Sequence, residues 1–125
     1  MKVQILASVM NQNLREIADR MQLDSDAVII NQCDRLGYEE MEHKGHTLRF
    51  FSFPDRGIGR SRNEAILRAD GDICVFSDQD IVYEPGYREA IIEEFRKSVD
   101  SLNDVAEKCK ERISSKISTE KEEEL

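Results

Sequence analysis

Short apolar runs alternate along the chain with stretches whose apolar residues return every three or four positions. Residues 2–10 carry Val3, Ile5, Leu6 and Val9 and read as a buried strand. Asn11-Gln12-Asn13 breaks the run, and Asn13 is placed to cap a helix with Leu14, Ile17, Ala18 and Met21 on one face. The turn Asp24-Ser25-Asp26 leads to a second strand over 27–31, rich in β-branched residues. Residues 32–44 are polar and read as a loop, with a short helix around 38–41. A third strand is expected over 47–53, ended by Pro54-Asp55-Arg56-Gly57. Residues 61–69 read as a helix with Ala65, Ile66 and Ala69 inward, stopped by Asp70-Gly71-Asp72. Residues 73–77 read as a fourth strand, and as the most deeply buried one. Pro85 suits the first turn of a further helix in which Tyr87, Ile91 and Phe95 stack.

Strands that alternate with helices predict an α/β fold: right-handed β-α-β units and a mainly parallel, Rossmann-like sheet of four or more strands. Helices should flank it, and ligands should sit at the carboxyl ends of the strands. That domain is expected over 1–97. Residues 98–125 form an acidic amphipathic helical tail. In it Val99, Leu102, Ala106, Cys109, Ile113 and Ile117 make a narrow apolar stripe, expected to dock on the core or to join two copies as a homo-oligomer. The closing run Glu120-Lys121-Glu122-Glu123-Glu124 reads as frayed and solvated.

Charge narrows the functions available. A net charge of −8 and a pI near 4.8 argue against nucleic acid or an anionic membrane surface as partner. No stretch approaches the roughly 20 apolar residues that cross a bilayer, and Lys2 and Gln4 deny the start a secretory signal. Cys33, Cys74 and Cys109 are odd in number and far apart, which fits neither a disulfide framework nor a zinc site. A cytoplasmic location is therefore expected.

Three groups carry candidate chemistry. Asp78 and Asp80 follow a buried apolar strand, where a parallel sheet presents its ligands; paired carboxylates there suit a hard cation such as Mg²⁺ or Mn²⁺, with phosphate oxygens completing the shell. Gly57-Ile58-Gly59-Arg60-Ser61-Arg62-Asn63 joins flexible backbone, two guanidinium groups and a helix start, which together suit a diphosphate. It lacks the P-loop ending, and Arg62 stands where a dinucleotide fingerprint needs its third glycine. Asn11 and Gln12 after the first strand, and Asp34 after the second, could read a base edge and ribose hydroxyls. Each group also serves in ordinary turns and solvated loops. His43 and His46 read as idle loop histidines, and Tyr38, Tyr83 and Tyr87 as packing residues.

The ordered set Arg60-Ser61-Arg62-Asn63-Glu64-Ala65, Ala69-Asp70-Gly71-Asp72-Ile73-Cys74-Val75-Phe76 and Ser77-Asp78-Gln79-Asp80 resembles the family 2 glycosyltransferases of GT-A fold. The resemblance covers about residues 1–97. Ala7-Ser8-Val9-Met10-Asn11-Gln12 and Val28-Ile29-Ile30-Asn31-Gln32-Cys33-Asp34 look like the bacterial polysaccharide branch. The resemblance implies a nucleotide-sugar donor, a UDP-sugar first, and a saccharide acceptor. It implies that Asp78 and Asp80 tie Mg²⁺ or Mn²⁺ to the donor diphosphate, and that Asp34 contacts the nucleoside. Asn11 and Gln12 would lie in the first nucleotide loop, with Arg60, Arg62 and Asn63 near the diphosphate and sugar. A catalytic domain of that family is longer, so three readings stand: a truncated or degenerate transferase, a donor-binding half completed by a second chain, or a site that binds a nucleotide sugar without transferring it; no residue matches the family's catalytic base.

Two other classes have a similar size. A TOPRIM-type nuclease needs a Glu just past the first strand, where this chain has Asn11-Gln12-Asn13, and a signalling receiver needs an acidic pair there. A catalytically silent interaction module, acting through the tail helix, is the alternative of a different kind.

Overall fold

The computed structural model describes residues 1–54 and 57–124; the side chains of Ile58 and of 111–124 fall outside that description. Among the described residues five strands and three helices follow in the order β1 (Val3–Met10), α1 (Leu14–Met21), β2 (Asp26–Gln32), β3 (Gly37–His43), β4 (His46–Phe53), α2 (Ile58–Arg68), β5 (Ile73–Asp78) and α3 (Tyr87–Glu124). They build one sheet, ordered β3-β4-β2-β1-β5. β1 pairs in parallel with β2 and β5, and β2 with β4, while β3 alone runs antiparallel on β4. The expected α/β class with a mainly parallel, Rossmann-like sheet, flanking helices and a long C-terminal helix is therefore found.

Side chains alternate across each strand, so the sheet has two cores. On one face Ile5, Ala7 and Val9 of β1 and Ala27 and Ile29 of β2 pack against Leu14, Ile17, Ala18 and Met21 of α1. Fully burying each of the larger side chains among them (Ile, Val, Leu, Met) stabilises by about 1.5–3 kcal/mol. On the other face Leu6, Val28 and Ile30 meet Ala65 of α2, with Phe51, Phe53 and Ala69 at the margin. The cap of the first helix acted as read, whereas Ile66 of α2, expected inward, is exposed. The Asn13 side chain accepts hydrogen bonds from Arg15 N (3.1 Å) and Glu16 N (3.3 Å) and starts α1. Gln22, left-handed at φ 55°, ends it.

Residues 37–43 are a strand, not the loop and short helix expected. Lys44 (φ 52°) and Gly45 (φ 79°) form the two-residue, positive-φ turn that folds β3 back on β4. The segment looked loop-like because β3 is an outer strand and most of it is exposed. β5 is also an outer strand, so the reading of residues 73–77 as the deepest strand fails: Cys74 is exposed and Phe76 keeps 46% of its surface. α2 starts at Ile58, three residues before the expected Ser61.

After β5 the chain returns beneath α1. Tyr83 N donates to Met21 O (2.8 Å), and the Tyr83 and Tyr87 rings lie 4.4 Å apart. The Tyr87 hydroxyl accepts from Asp24 N (2.7 Å) and is hydrogen-bonded to Ser25 Oγ (2.6 Å). Two compact units result, Met1–Ile92 and Glu93–Leu125. The second is helix to Glu124, through the run read as frayed; no Gly or Pro interrupts it. Leu102 and Val105 on it are 69% and 56% exposed, while Ile113 and Ile117 of the apolar stripe lie outside the described side chains. No helix among the described residues is long and apolar enough to cross a membrane.

Candidate functional site

Strand order locates the site. From β1 the chain steps outward through β2 to β4, then crosses back through α2 to β5 on the other side of β1. The carboxyl ends of β1 and β5 are thus the switch point at which open α/β sheets bind ligands. Ser8 of β1 stands in register with Asp78 of β5. Ser61, in the first turns of α2, donates from Oγ to Ser8 Oγ at 2.8 Å. Gln32, closing β2, donates from Nε2 to Gly57 O at 2.8 Å. These two bonds fix the glycine-arginine turn against β1, which neighbours Asp78, and against the end of β2.

The other residues of that turn follow from α2. The Arg62 guanidinium lies 5.5 Å above the Phe76 ring. Phe76 and Asp78 are two apart on β5 and so face the same side of the sheet. Arg60 and Asn63 are exposed on the same helix, and Asp80 is exposed in the turn after β5. Between the two aspartates, Gln79 accepts a hydrogen bond from Met10 N at 2.9 Å, which ties that turn to the end of β1.

The opposite side of the rim holds a cavity of about 510 Å³ at the ends of β1, β2 and β4. Asn11, Gln12, Asn31, Asp34, Tyr38 and Ser52 are among its lining. Its floor is the Asn31 side chain, almost fully buried, which accepts from Gln12 N (3.0 Å) and donates to Ser52 Oγ (3.2 Å). Asn31 thereby holds the first loop in place. Within that loop Asn11 is left-handed (φ 51°). The Gln12 amide is already engaged, donating to Met10 O (2.8 Å) and accepting from Arg20 Nη2 (2.6 Å). Asp34 and Arg35 pair at 3.5 Å and are both largely solvated, so the pair adds little stability.

The expected residues therefore fall into two sets on one rim. Asn11, Gln12 and Asp34 share the cavity, whereas Arg60, Arg62, Asn63, Asp78 and Asp80 are not in its lining. Asn31, Ser8, Ser52 and Gln79 were missed. Asn31 carried one usable signal, a polar residue closing an apolar strand. Among the described residues no group of three or more His, Cys, Asp or Glu is set to hold a metal.

No curated protein and no solved structure matches the chain significantly. One family model does match, over residues 4–118, beyond the 1–97 that the motifs cover. Its description is glycosyl transferase family 2, and the chain belongs to that family.

Proposed function

We propose that the chain binds a nucleoside diphosphate sugar, a UDP-sugar first, at the carboxyl rim of its sheet and presents it for transfer to a saccharide acceptor. The observation that carries this is the polar cavity at the ends of β1, β2 and β4, lined by Asn11, Gln12 and Asp34, beside a switch point at which α2 begins. The cavity suits the nucleoside: Asp34 can accept from ribose hydroxyls, and the Asn11 amide can both donate to and accept from a base edge. The α2 start, with Arg60, Arg62 and Asn63, would take the diphosphate and sugar.

Asp78 and Asp80 offer oxygen ligands alone, and two carboxylates are a usual protein share of a Mg²⁺ or Mn²⁺ site whose remaining ligands are phosphate and water. The donor set fits such an ion, with Asp78 and Asp80 holding it. Bound there, the ion would supply electrostatic stabilisation of the departing diphosphate. Arg62 would add positive charge on the same side, held in place over Phe76. This site belongs to the Met1–Ile92 unit, and the resemblance to the bacterial polysaccharide branch supports a saccharide as the class of acceptor.

Calorimetric titration with UDP and UDP-sugars, with and without Mn²⁺, tests the reading. Metal-dependent binding is expected, weakened at least tenfold (about 1.4 kcal/mol) by Asp78→Asn or Asp80→Asn. Titration curves unchanged by both substitutions would overturn the metal assignment. Absence of any nucleotide binding would overturn the whole reading and leave an interaction module.

A further inference from the structure

α3 carries a feature that nucleotide-sugar chemistry does not use. Ile92, Phe95, Val99, Leu102, Ala106 and Cys109 are spaced alternately three and four residues apart. That is a seven-residue repeat. On a straight helix of 3.6 residues per turn such a seam drifts by about 20° per heptad, and it stays in line only when the helix winds around a partner. In the single chain Phe95, Leu102, Ala106 and Cys109 are exposed.

The charges say which partner suits it. With Ile92 at position a, every acid from Glu93 to Glu107 stands at an outer position: Glu93, Asp100 and Glu107 at b, Glu94 at c and Asp104 at f. The ion pairs Lys97–Glu94 (3.4 Å) and Lys108–Asp104 (3.3 Å) join outer positions too, so closing the seam breaks neither. In a parallel, in-register pair the flanking g-to-e′ neighbours are Ser98 with Asn103 and Val105 with Lys110. No like charges meet, although the helix is rich in acids. Ile92 and Val99 at a with Leu102 at d are the choices that favour two strands.

We propose that residues 92–109 form a parallel, in-register two-stranded coiled coil with a second copy of this chain. Cys109, at a d position, then faces its own counterpart across the seam.

The test is sedimentation equilibrium of the full chain, with cross-linking by a short bismaleimide in a Cys33→Ser/Cys74→Ser background. A concentration-dependent dimer is expected, cross-linked through Cys109. Leu102→Lys should raise its dissociation constant at least tenfold, Ala106→Ile should tighten it, and Asp104→Asn, on the outer surface, should leave it unchanged. A monomer at submillimolar concentration, or a dimer indifferent to both Leu102→Lys and Ala106→Ile, overturns the proposal. A seam-dependent dimer without the Cys109 cross-link overturns the parallel register.

Discussion

Of the glycines, Gly71 has the least room for a side chain. It sits in the Asp70-Gly71-Asp72 link between α2 and β5, which is stitched to the start of β1. Gln4 accepts through Oε1 from Asp70 N (2.9 Å) and Gly71 N (3.1 Å), and its Nε2 donates to Asp70 Oδ1 (2.8 Å). Lys2 O accepts from Asp72 N (2.8 Å) and Ile73 N (3.1 Å). A methyl group on Gly71 would stand 2.6 Å from Gln4 Cβ and 3.3 Å from both Gln4 N and Lys2 O. Cβ cannot rotate away, so the link must lift off β1. Overpacking of this kind costs about 1–3 kcal/mol, and each lengthened hydrogen bond up to about 1 more. Alanine recovers about 0.4–1 kcal/mol by restricting the unfolded chain, which is too little to offset the clash. Gly71→Ala is therefore expected to destabilise by about 1–3 kcal/mol. At about 4–8 °C per kcal/mol for a domain of this size, melting should fall by roughly 5–20 °C. Gly59→Ala is the control: nothing lies within 4 Å of its added methyl, and inside α2 alanine should be neutral or stabilise by up to about 1 kcal/mol. Thermal unfolding followed by circular dichroism reads both. Equal melting temperatures for Gly71→Ala and the wild type would refute the close-approach argument.

Further outcomes are expected at three positions. Tyr87→Phe leaves Asp24 N–H without its acceptor and the Ser25 hydroxyl with Asp26 O alone, and should cost about 1–3 kcal/mol in urea unfolding. Burial raises the pKa of Tyr87 and Tyr83 above the ordinary 10.0. Their contribution is thus complete below pH 10 and is lost as pH rises through the folded values; the alkaline loss should shrink in Tyr87→Phe, and an identical pH profile would contradict it. The hydrogen bond from Lys2 holds the Asp70 carboxyl below its ordinary 3.8. Its contribution is present above that pH and lost as pH falls through the folded value, so Asp70→Asn should flatten the acid limb of stability. Asn31→Ala removes the acceptor of Gln12 N and should weaken UDP binding about tenfold; unaltered affinity would detach the first loop from the cavity.

What the chain disclosed of its fold tracks how local each cause is. α1 was legible because its determinants sit within it: an Asn13 side chain bonding two residues on, and an apolar stripe at helical spacing. The two outer strands were misread in opposite directions. β3, with Glu39, Glu40 and Glu42, lacks the apolar alternation of a half-buried strand, and its turn residues Lys44-Gly45 were the only cue. β5 reads as apolar throughout, yet only β1 pairs with it, so Phe76 is left to Arg62. An apolar run reports affinity for a neighbour; it does not report how many neighbours strand order provides.

The same limit explains the site. Strand ends pointed to Asn11, Gln12 and Asp34, because carboxyl ends can be found from the strands alone. Asn31 matters through Ser52, and that partnership exists only because β2 lies beside β4, with β3 displaced outward. Strand parity then assigns the tasks of two adjacent residues. Asn31 faces the α1 side and floors the cavity, while Gln32 faces the α2 side and grips Gly57 O. A one-residue slip of β2 would exchange these faces. It would send Gln32 to the cavity floor and release the start of α2 from the sheet. The buried Val28 and Ile30 on one side, and Ala27 and Ile29 on the other, set that register. The division of the rim into a polar cavity and a glycine-arginine turn therefore follows from hydrophobic packing beneath it, at residues that touch neither.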